Sequence, residues 1–369
     1  MALIEFVVFH PWKALMTLVA GTLLGLGAFY VYHVGAALGA VAGEDFDPGV
    51  ARAAIESSPD DTPRDPSISY ELGDEPLYDL DAEMQRITEL LADRGQHDFN
   101  RAAFGEPFAD EIFDAYLLVG TDASGSRADT IILALQPMDG SAPIMTSLPR
   151  DLFLWNLCKE TFTRLNSGLG GCSAVASGLE LLAIMVEDYT GIPIDHVARI
   201  DFDGFARLVD VMGGITVCVD QPTRDIKAHL RIDDAGCQTV DGETALGWVR
   251  SRHPEQLVAG EWKAVSGSDF TRQRIQQDVL FQLAGRAASF SSPASLVERL
   301  AAVSSSVRLD ASWSLGNAVG AAWRYRGISK DAVERFSISV REYRTFYGAQ
   351  VLLPALSFRD QLAEVYDVG

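Results

Sequence analysis

Basic side chains are scarce in this 369-residue chain, in which 30 Lys and Arg stand against 51 Asp and Glu for a formal net charge of −21. A general nucleic-acid binder needs basic surface to displace counterions from phosphates, so the charge argues against that class. Any anionic partner has to be met by a local concentration of cations. Closely spaced cysteine pairs are also missing: Cys158, Cys172, Cys218 and Cys237 lack the CxxC spacing of a structural zinc site. None of His10, His33, His97, His196, His229 and His253 has a partner at metal-ligand spacing. There is no internal repeat and no low-complexity tract. The hydrophobic fraction of 48% is ample for a core, and the length holds one large domain with appendages, or two ordinary ones.

Charge is absent altogether between residues 14 and 42, where "LMTLVAGTLLGLGAFYVYHVGAALGAVA" exceeds the roughly 20 apolar residues needed to cross a bilayer. This reads as one N-terminal transmembrane helix, with "AVAG" at 40–43 leaving a cleaved signal peptide as the alternative. Lys13 precedes the span and acids follow it from Glu44, so the positive-inside preference puts residues 1–13 in the cytoplasm and the rest of the chain outside. The expected location is the cell membrane, single-pass, with an extracytoplasmic functional domain. Four cysteines in an external segment suit disulfides. Local bridges Cys158–Cys172 and Cys218–Cys237 are favoured, with four buried thiols as the alternative.

Residues 44–110 read as a solvated linker. Fifteen acids between 44 and 93 face only Arg52, Arg64 and Arg86, and Pro48, Pro59, Pro63, Pro66 and Pro76 disfavour regular structure. Within the linker, Leu77, Leu80, Met84, Ile87 and Leu91 share one helical face, which predicts a short amphipathic helix over 76–94. It either packs on the main domain or meets a partner helix.

From 111 to 369 the pattern is that of a single domain. "DAYLLVG", "DTIILALQP" and "APIMTSLP" read as strands, residues 174–190 as a helix ending at Gly191, and "HVARIDFDGFARLVDVMGGITVCV" as strand, helix, strand. A helix follows at 269–287, and "ERFSISVREYRTFYGAQVLLPAL" gives two closing strands. Alternating strands and helices predict an α/β fold, a layered α/β/α domain around a central mixed sheet.

Chemistry concentrates in three places. In "LVGTDASGSRADTIILAL" a strand–turn–strand brings Asp122 and Asp129 to one mouth, where two carboxylates repel unless a cation intervenes. Mg2+ resolves the conflict with one or two protein carboxylates, filling its octahedron with water and phosphate oxygens. Simple turn geometry is the competing reason for these acids. In "SLPRDL" Arg150 follows a strand end and a proline, so it projects into a crevice at the sheet edge. "ALGWVRSRH" reads as helix turning into extended chain; where it is extended, Arg250 and Arg252 point to one face, and their planar forks match phosphate oxygens as a lysine does not. Asp269, Arg272 and Gln276 lie on one helical face that Leu280 and Leu283 continue, with Arg274 opposite. A salt-bridged surface helix is the alternative there.

Strung together, "LLVGTDASGSRADTIIL", "IMTSLPRDLF", "RLNSGL", "GIPIDHVARIDFDGFARLVDVMGGITV", "VDGETALGWVRSRH" and "SDFTRQRIQQ" resemble, in order, the motifs of the LytR-CpsA-Psr family of cell-wall glycopolymer ligases. The resemblance implies a membrane-anchored phosphotransferase that moves a glycopolymer from an undecaprenyl pyrophosphate carrier onto peptidoglycan through a phosphodiester. By position, Asp122 and Asp129 match the family's Mg2+-binding aspartates and Arg127 the arginine between them. Arg150, Arg250, Arg252 and Gln276 match pyrophosphate contacts, Arg164 stands for a usual lysine, and Asp269 and Arg272 open the final motif. Arg150 and Asp269 are the expected catalytic residues, Asp269 as general base or as a group orienting Arg272. Two departures stand out: Ile275 occupies the position of a second arginine, and "DASGS" lacks another. The rival functions are a lipid pyrophosphate hydrolase and a non-catalytic envelope regulator or polymer-binding module.

Overall fold

In "FDAYLLVGT" Phe113, Ala115, Leu117, Val119 and Thr121, at every second position, are buried and form one face of a strand. The computed structural model describes residues 43–57, 85, 87, 89, 108–109, 111–122, 124–265, 269–288, 307–310, 330–345 and 348–367. The uncharged segment 14–42 lies outside the described residues, as does nearly all of 58–107. Among the described residues no helix is long and apolar enough to cross a membrane.

The first half of the chain runs β1 (Gly43–Glu44), α1 (Pro48–Ser57), β2 (Phe113–Thr121), β3 (Ala128–Pro137), β4 (Ile144–Ser147), β5 (Phe153–Asn156), β6 (Thr161–Arg164), α2 (Gly178–Thr190), β7 (His196–Asp201) and α3 (Phe202–Val211). There follow β8 (Ile215–Val219), β9 (Thr223–Asp225), β10 (Leu230–Ile232), β11 (Gly236–Val240), α4 (Gly242–Arg250), β12 (Glu255–Val258), β13 (Glu261–Ala264) and α5 (Asp269–Ala288). The chain closes with β14 (Val307–Asp310), β15 (Glu334–Ser337), β16 (Val340–Arg344), β17 (Gln350–Pro354) and α6 (Phe358–Leu362).

Seven strands form the central sheet in the order β1-β14-β7-β2-β3-β4-β15. Pairs β1–β14, β2–β7 and β4–β15 are parallel and β14–β7, β2–β3 and β3–β4 antiparallel, so the sheet is mixed, as expected. Both faces are covered. Val197 belongs to a core with Leu117, Val119, Leu182 and Tyr189, which puts α2 on that face. Its neighbour Ala198 points the other way, into a second core built by α3, α4 and α5 through Val209, Ala245, Val279 and Leu283.

Helix α2 begins four residues later than the periodicity alone predicts. The Ser177 hydroxyl accepts the Glu180 N–H while the Glu180 carboxylate accepts the Ser177 N–H, a reciprocal cap that fixes the start. The linker reading needs correction at its beginning. β1 adds a strand to the sheet edge, and α1 packs on α2 through Arg52, whose Nη1 lies 2.7 Å from Asp188 Oδ1. Pro48, taken from composition as a disruptor, is the first residue of α1, where its missing N–H is harmless, and Asp47 caps that turn by accepting the Val50 N–H at 2.8 Å. Of the amphipathic stretch at 76–94, Ile87 is helical and buried among Phe162 and Leu353, which favours packing on the domain; Leu77, Leu80, Met84 and Leu91 lie outside the described residues.

Both local disulfides are present. Cys158–Cys172 closes the loop before α2, and Cys218–Cys237 joins directly opposed residues of β8 and β11.

Candidate active site

Since β2, β4 and β7 run in one direction and β3 against them, the carboxyl ends of β2, β4 and β7 and the amino end of β3 share one edge of the sheet. Open α/β sheets bind ligands at such edges. Here Gly120 pairs with Thr130 and Thr121 with Ala128, so Asp129 is the extra residue of a β-bulge. A bulge re-aims the side chain it carries. The Asp129 carboxylate ion-pairs with Arg150 Nη1, just beyond β4. The Arg150 backbone is itself fixed, its carbonyl accepting the Asn166 N–H at 3.0 Å.

Asp151 extends this pair. Its Oδ2 lies 3.5 Å from Arg150 Nε and its Oδ1 3.4 Å from Arg164 Nε, while Arg164 Nη2 donates to the Gln350 carbonyl at 2.8 Å. Sequence reading passed over Asp151, although an acid adjacent to Arg150 in "SLPRDL" was a visible signal. A second cluster stands at the first turn of α5. Asp269 Oδ1 takes Arg272 Nη2 at 2.6 Å and Arg252 Nη2 at 3.2 Å, and Oδ2 accepts the Gln273 amide at 3.2 Å. Gln277 links this helix to the end of β4, donating to Ser147 Oγ at 2.9 Å.

The two clusters act on each other electrostatically. Burial pulls the Arg272 guanidinium below its ordinary pKa; Asp269 opposes that, and the like charges of Arg252 and Arg150 reinforce it. For Arg150 burial works in the same direction, but Asp151 and Asp129 outweigh it and the value rises. Arg272 is only 5% exposed. Arg150 Nε, Arg252 Nη2 and Arg272 Nε are buried without a hydrogen bond, and so is Thr121 Oγ1. The first two have carboxylates nearby but not aligned to accept. Buried polar atoms are normally satisfied, so unmet guanidinium donors from three separate segments, close enough to act on one another, describe a site shaped for an oxyanion.

Other expected contacts are arranged differently. Arg250 and Arg252 do not share an extended face, because α4 continues through Arg250 and the chain becomes extended only at Ser251. The Arg250 guanidinium lies over the Phe202 ring, 4.4 Å from its centroid, at the carboxyl end of β7. Gln276 donates to the Val249 carbonyl at 3.1 Å and so steadies the end of α4. Arg127 is exposed in the turn after β2. Ile275 packs against the second core, Leu283 is part of it, and Arg274 is exposed.

A model of the LytR_cpsA_psr family matches residues 106–360. The chain belongs to the LytR-CpsA-Psr family. A probable cell wall biosynthesis protein, LcpB of Corynebacterium glutamicum, is 38% identical over 137 residues, 36% of this chain and 30% of its own length, so this chain spans less than a third of that relative. A protein of Halalkalibacterium halodurans named polyisoprenyl-teichoic acid–peptidoglycan teichoic acid transferase TagU is 28% identical over 256 residues, 67% of this chain and 76% of its own. The solved LytR-Csp2A-Psr enzyme from Actinomyces oris superposes with a TM-score of 0.53 at 27% identity, covering 70% of this chain and 94% of that one.

The Mg2+ implied for LytR-CpsA-Psr proteins can be tested against the donors present. Asp122 follows β2 and Asp129 interrupts β3 across the same turn. Burial raises the Asp122 pKa, but the Ser124 hydroxyl, the N–H groups of Ser126 and Arg127 and the Arg127 charge outweigh it and hold the carboxyl below its usual range. Among the described residues no group of three or more His, Cys, Asp or Glu could form a full metal cage. Two carboxylates with open positions left for water and phosphate are what Mg2+ typically takes, so the donor set fits.

Proposed function

We propose that this protein is a membrane-anchored phosphotransferase that moves a glycopolymer from a polyprenyl diphosphate carrier onto peptidoglycan through a phosphodiester bond. The observation that carries the reading is the set of buried, unmet N–H donors on Arg150, Arg252 and Arg272, two of whose guanidinium groups meet at Asp269 and one at Asp129. A diphosphate supplies the acceptor oxygens those donors lack. The name of the H. halodurans relative, a transferase acting between a polyisoprenyl carrier and peptidoglycan, agrees with it. The uncharged segment at 14–42 supports a single anchor, and two disulfides support an oxidising compartment outside the membrane.

In the reaction, an acceptor sugar hydroxyl attacks the phosphorus that carries the glycopolymer. An oxygen–phosphorus bond forms, the bond to the bridging oxygen breaks, and prenyl phosphate leaves with the negative charge. Arg150, Arg252 and Arg272 neutralise that charge, and catalysis rests on positioning and electrostatics. Asp122 and Asp129 would hold Mg2+, which supplies further neutralisation of the diphosphate. Asp269 keeps Oδ1 on the two arginines, while Oδ2, tied only to a neutral amide, takes the hydroxyl proton. Arg127, Arg164 and Arg250 sit around the same edge as outer contacts, and Gln276 supports the end of α4.

The site chemistry also fits a hydrolase, with water in place of the sugar. Incubation with a prenyl diphosphate oligosaccharide in 18O-labelled water, with and without a peptidoglycan glycan strand, separates the two. Transfer predicts a strand whose mass rises by the glycosyl phosphate and carries no label. Labelled sugar phosphate with an unchanged strand would overturn it.

A further inference from the structure

We propose that Asp225 is a positioning residue that sets Arg252 against the diphosphate. This rests on the reading above, and no part of the sequence pattern singled Asp225 out. The side chain closes β9 and is 1% exposed. Its Oδ1 accepts the N–H groups of Lys227 at 3.0 Å and Ala228 at 3.2 Å. Its Oδ2 accepts the Ser251 hydroxyl at 2.9 Å and the N–H groups of Arg252 at 2.9 Å and His253 at 2.8 Å.

These contacts fall where Arg252 leaves regular structure. Helix α4 ends at Arg250, β12 starts at Glu255, and Arg252 projects from the connection. A helix end leaves the chain free to depart in several directions, because its last groups have no partners of their own. Asp225 removes that freedom by gathering three successive residues onto a single oxygen. Gln276 holds Val249 from one side, and Arg224 holds Glu255 through a 2.7 Å bond from the other, so the arginine-bearing segment is pinned at both flanks and beneath. The direction of the Arg252 side chain toward Asp269, 3.2 Å away, follows from that clamp.

A buried carboxylate without hydrogen bonds is costly, and here five neutral donors satisfy it. Asparagine has nearly the same size but only one acceptor oxygen. Whichever way it is turned, its NH2 faces either Lys227 and Ala228 or Ser251, Arg252 and His253, donor against donor.

The test is a double-mutant cycle on full-length protein, with the affinity for inorganic pyrophosphate measured by calorimetry and the fold checked by near-UV circular dichroism. Asp225→Asn and Arg252→Ala are each expected to weaken binding roughly tenfold, the cost of one charge-assisted contact. If Asp225 acts through Arg252, the double variant loses no more than about twofold beyond the weaker single one, whereas independent structural damage would multiply the losses. Multiplied losses, or Asp225→Asn binding like wild type, would overturn the proposal. Should Asp225→Asn fail to fold, Ser251→Ala removes one donor from the same oxygen, and the same coupling to Arg252→Ala is expected from it. Wild-type protein that ignores pyrophosphate would sink the diphosphate reading itself, an outcome distinct from a wild type that binds and an indifferent Asp225→Asn.

Discussion

Replacing Arg272 by methionine should move binding and stability in opposite directions. The guanidinium is 5% exposed, its Nε has no hydrogen-bond partner, and its pKa is lowered by burial despite Asp269 at 2.6 Å. It is therefore desolvated and repelled by Arg252 and Arg150 whenever no anion is bound. Replacing both members of a buried ion pair by apolar side chains is often neutral or stabilising by ~1–4 kcal/mol, and removing one member is costly only where the other stays buried and unpaired, which the 34% exposed Asp269 does not. Asp269 would keep Arg252 and Gln273, so a gain of about 1 kcal/mol is expected, or about 2–4 °C in melting temperature for a domain of this size. The same change removes at least one charge-assisted contact to the ligand, worth roughly 1.5–3 kcal/mol, so pyrophosphate affinity should fall about 10- to 150-fold. Calorimetry and a thermal melt on one preparation read both. A melting temperature lowered by more than about 4 °C with unchanged pyrophosphate affinity would show that Arg272 holds the fold and not the ligand.

Other perturbations test the frame. Reducing the disulfides, which span 14 and 19 residues, should cost roughly 3 kcal/mol each if chain entropy dominates, read as a lower melting temperature in dithiothreitol. Gly242→Ala should destabilise strongly and lower pyrophosphate affinity, because a Cβ there would fall on the Ala206 carbonyl oxygen and push α4 away from α3; a normal melting curve would contradict that packing. His196, whose Nδ1 lies 3.6 Å from Asp310 Oδ2, has its pKa raised above 6.5 by that carboxylate, against the effect of burial, with the charges of Asp114 and Asp195 adding. A raised folded value means stability that is full below 6.5 and is lost as pH rises through the folded pKa. His196→Gln should flatten that slope in melts on either side of 6.5, and an unaltered slope would assign it to other groups.

Much of this could be read from residue order. Alternation in "DAYLLVG" and "DTIILAL" gave the central hairpin, and cysteine spacing gave the two local bridges, because both are short-range features that a chain states directly. Missing were the features that depend on register and on distant neighbours. No periodicity reveals that β3 slips by one residue at Asp129, although that slip aims its carboxylate at Arg150. The stretch around Arg250 and Arg252 reads as helix passing into extended chain, but helix propensity does not say that the change falls between the two arginines, with α4 running through Arg250 and Ser251 turning away. Gln276 looked like a ligand contact because its face was right, but the carbonyl it meets belongs to another helix. The proline-rich start of the linker misled for a similar reason: Pro48 is excluded from helix interiors and welcome at a helix start, and composition does not distinguish the two.

The central claim is that guanidinium groups from three separate segments converge on one diphosphate. A crystal structure with geranylgeranyl diphosphate and Mg2+ tests it most directly. The account predicts phosphate oxygens within hydrogen-bond reach of Arg150 Nε, Arg252 Nη2 and Arg272 Nε, with Asp122 and Asp129 facing the same ligand. A diphosphate seated elsewhere, with those three donors still unmet, would contradict it.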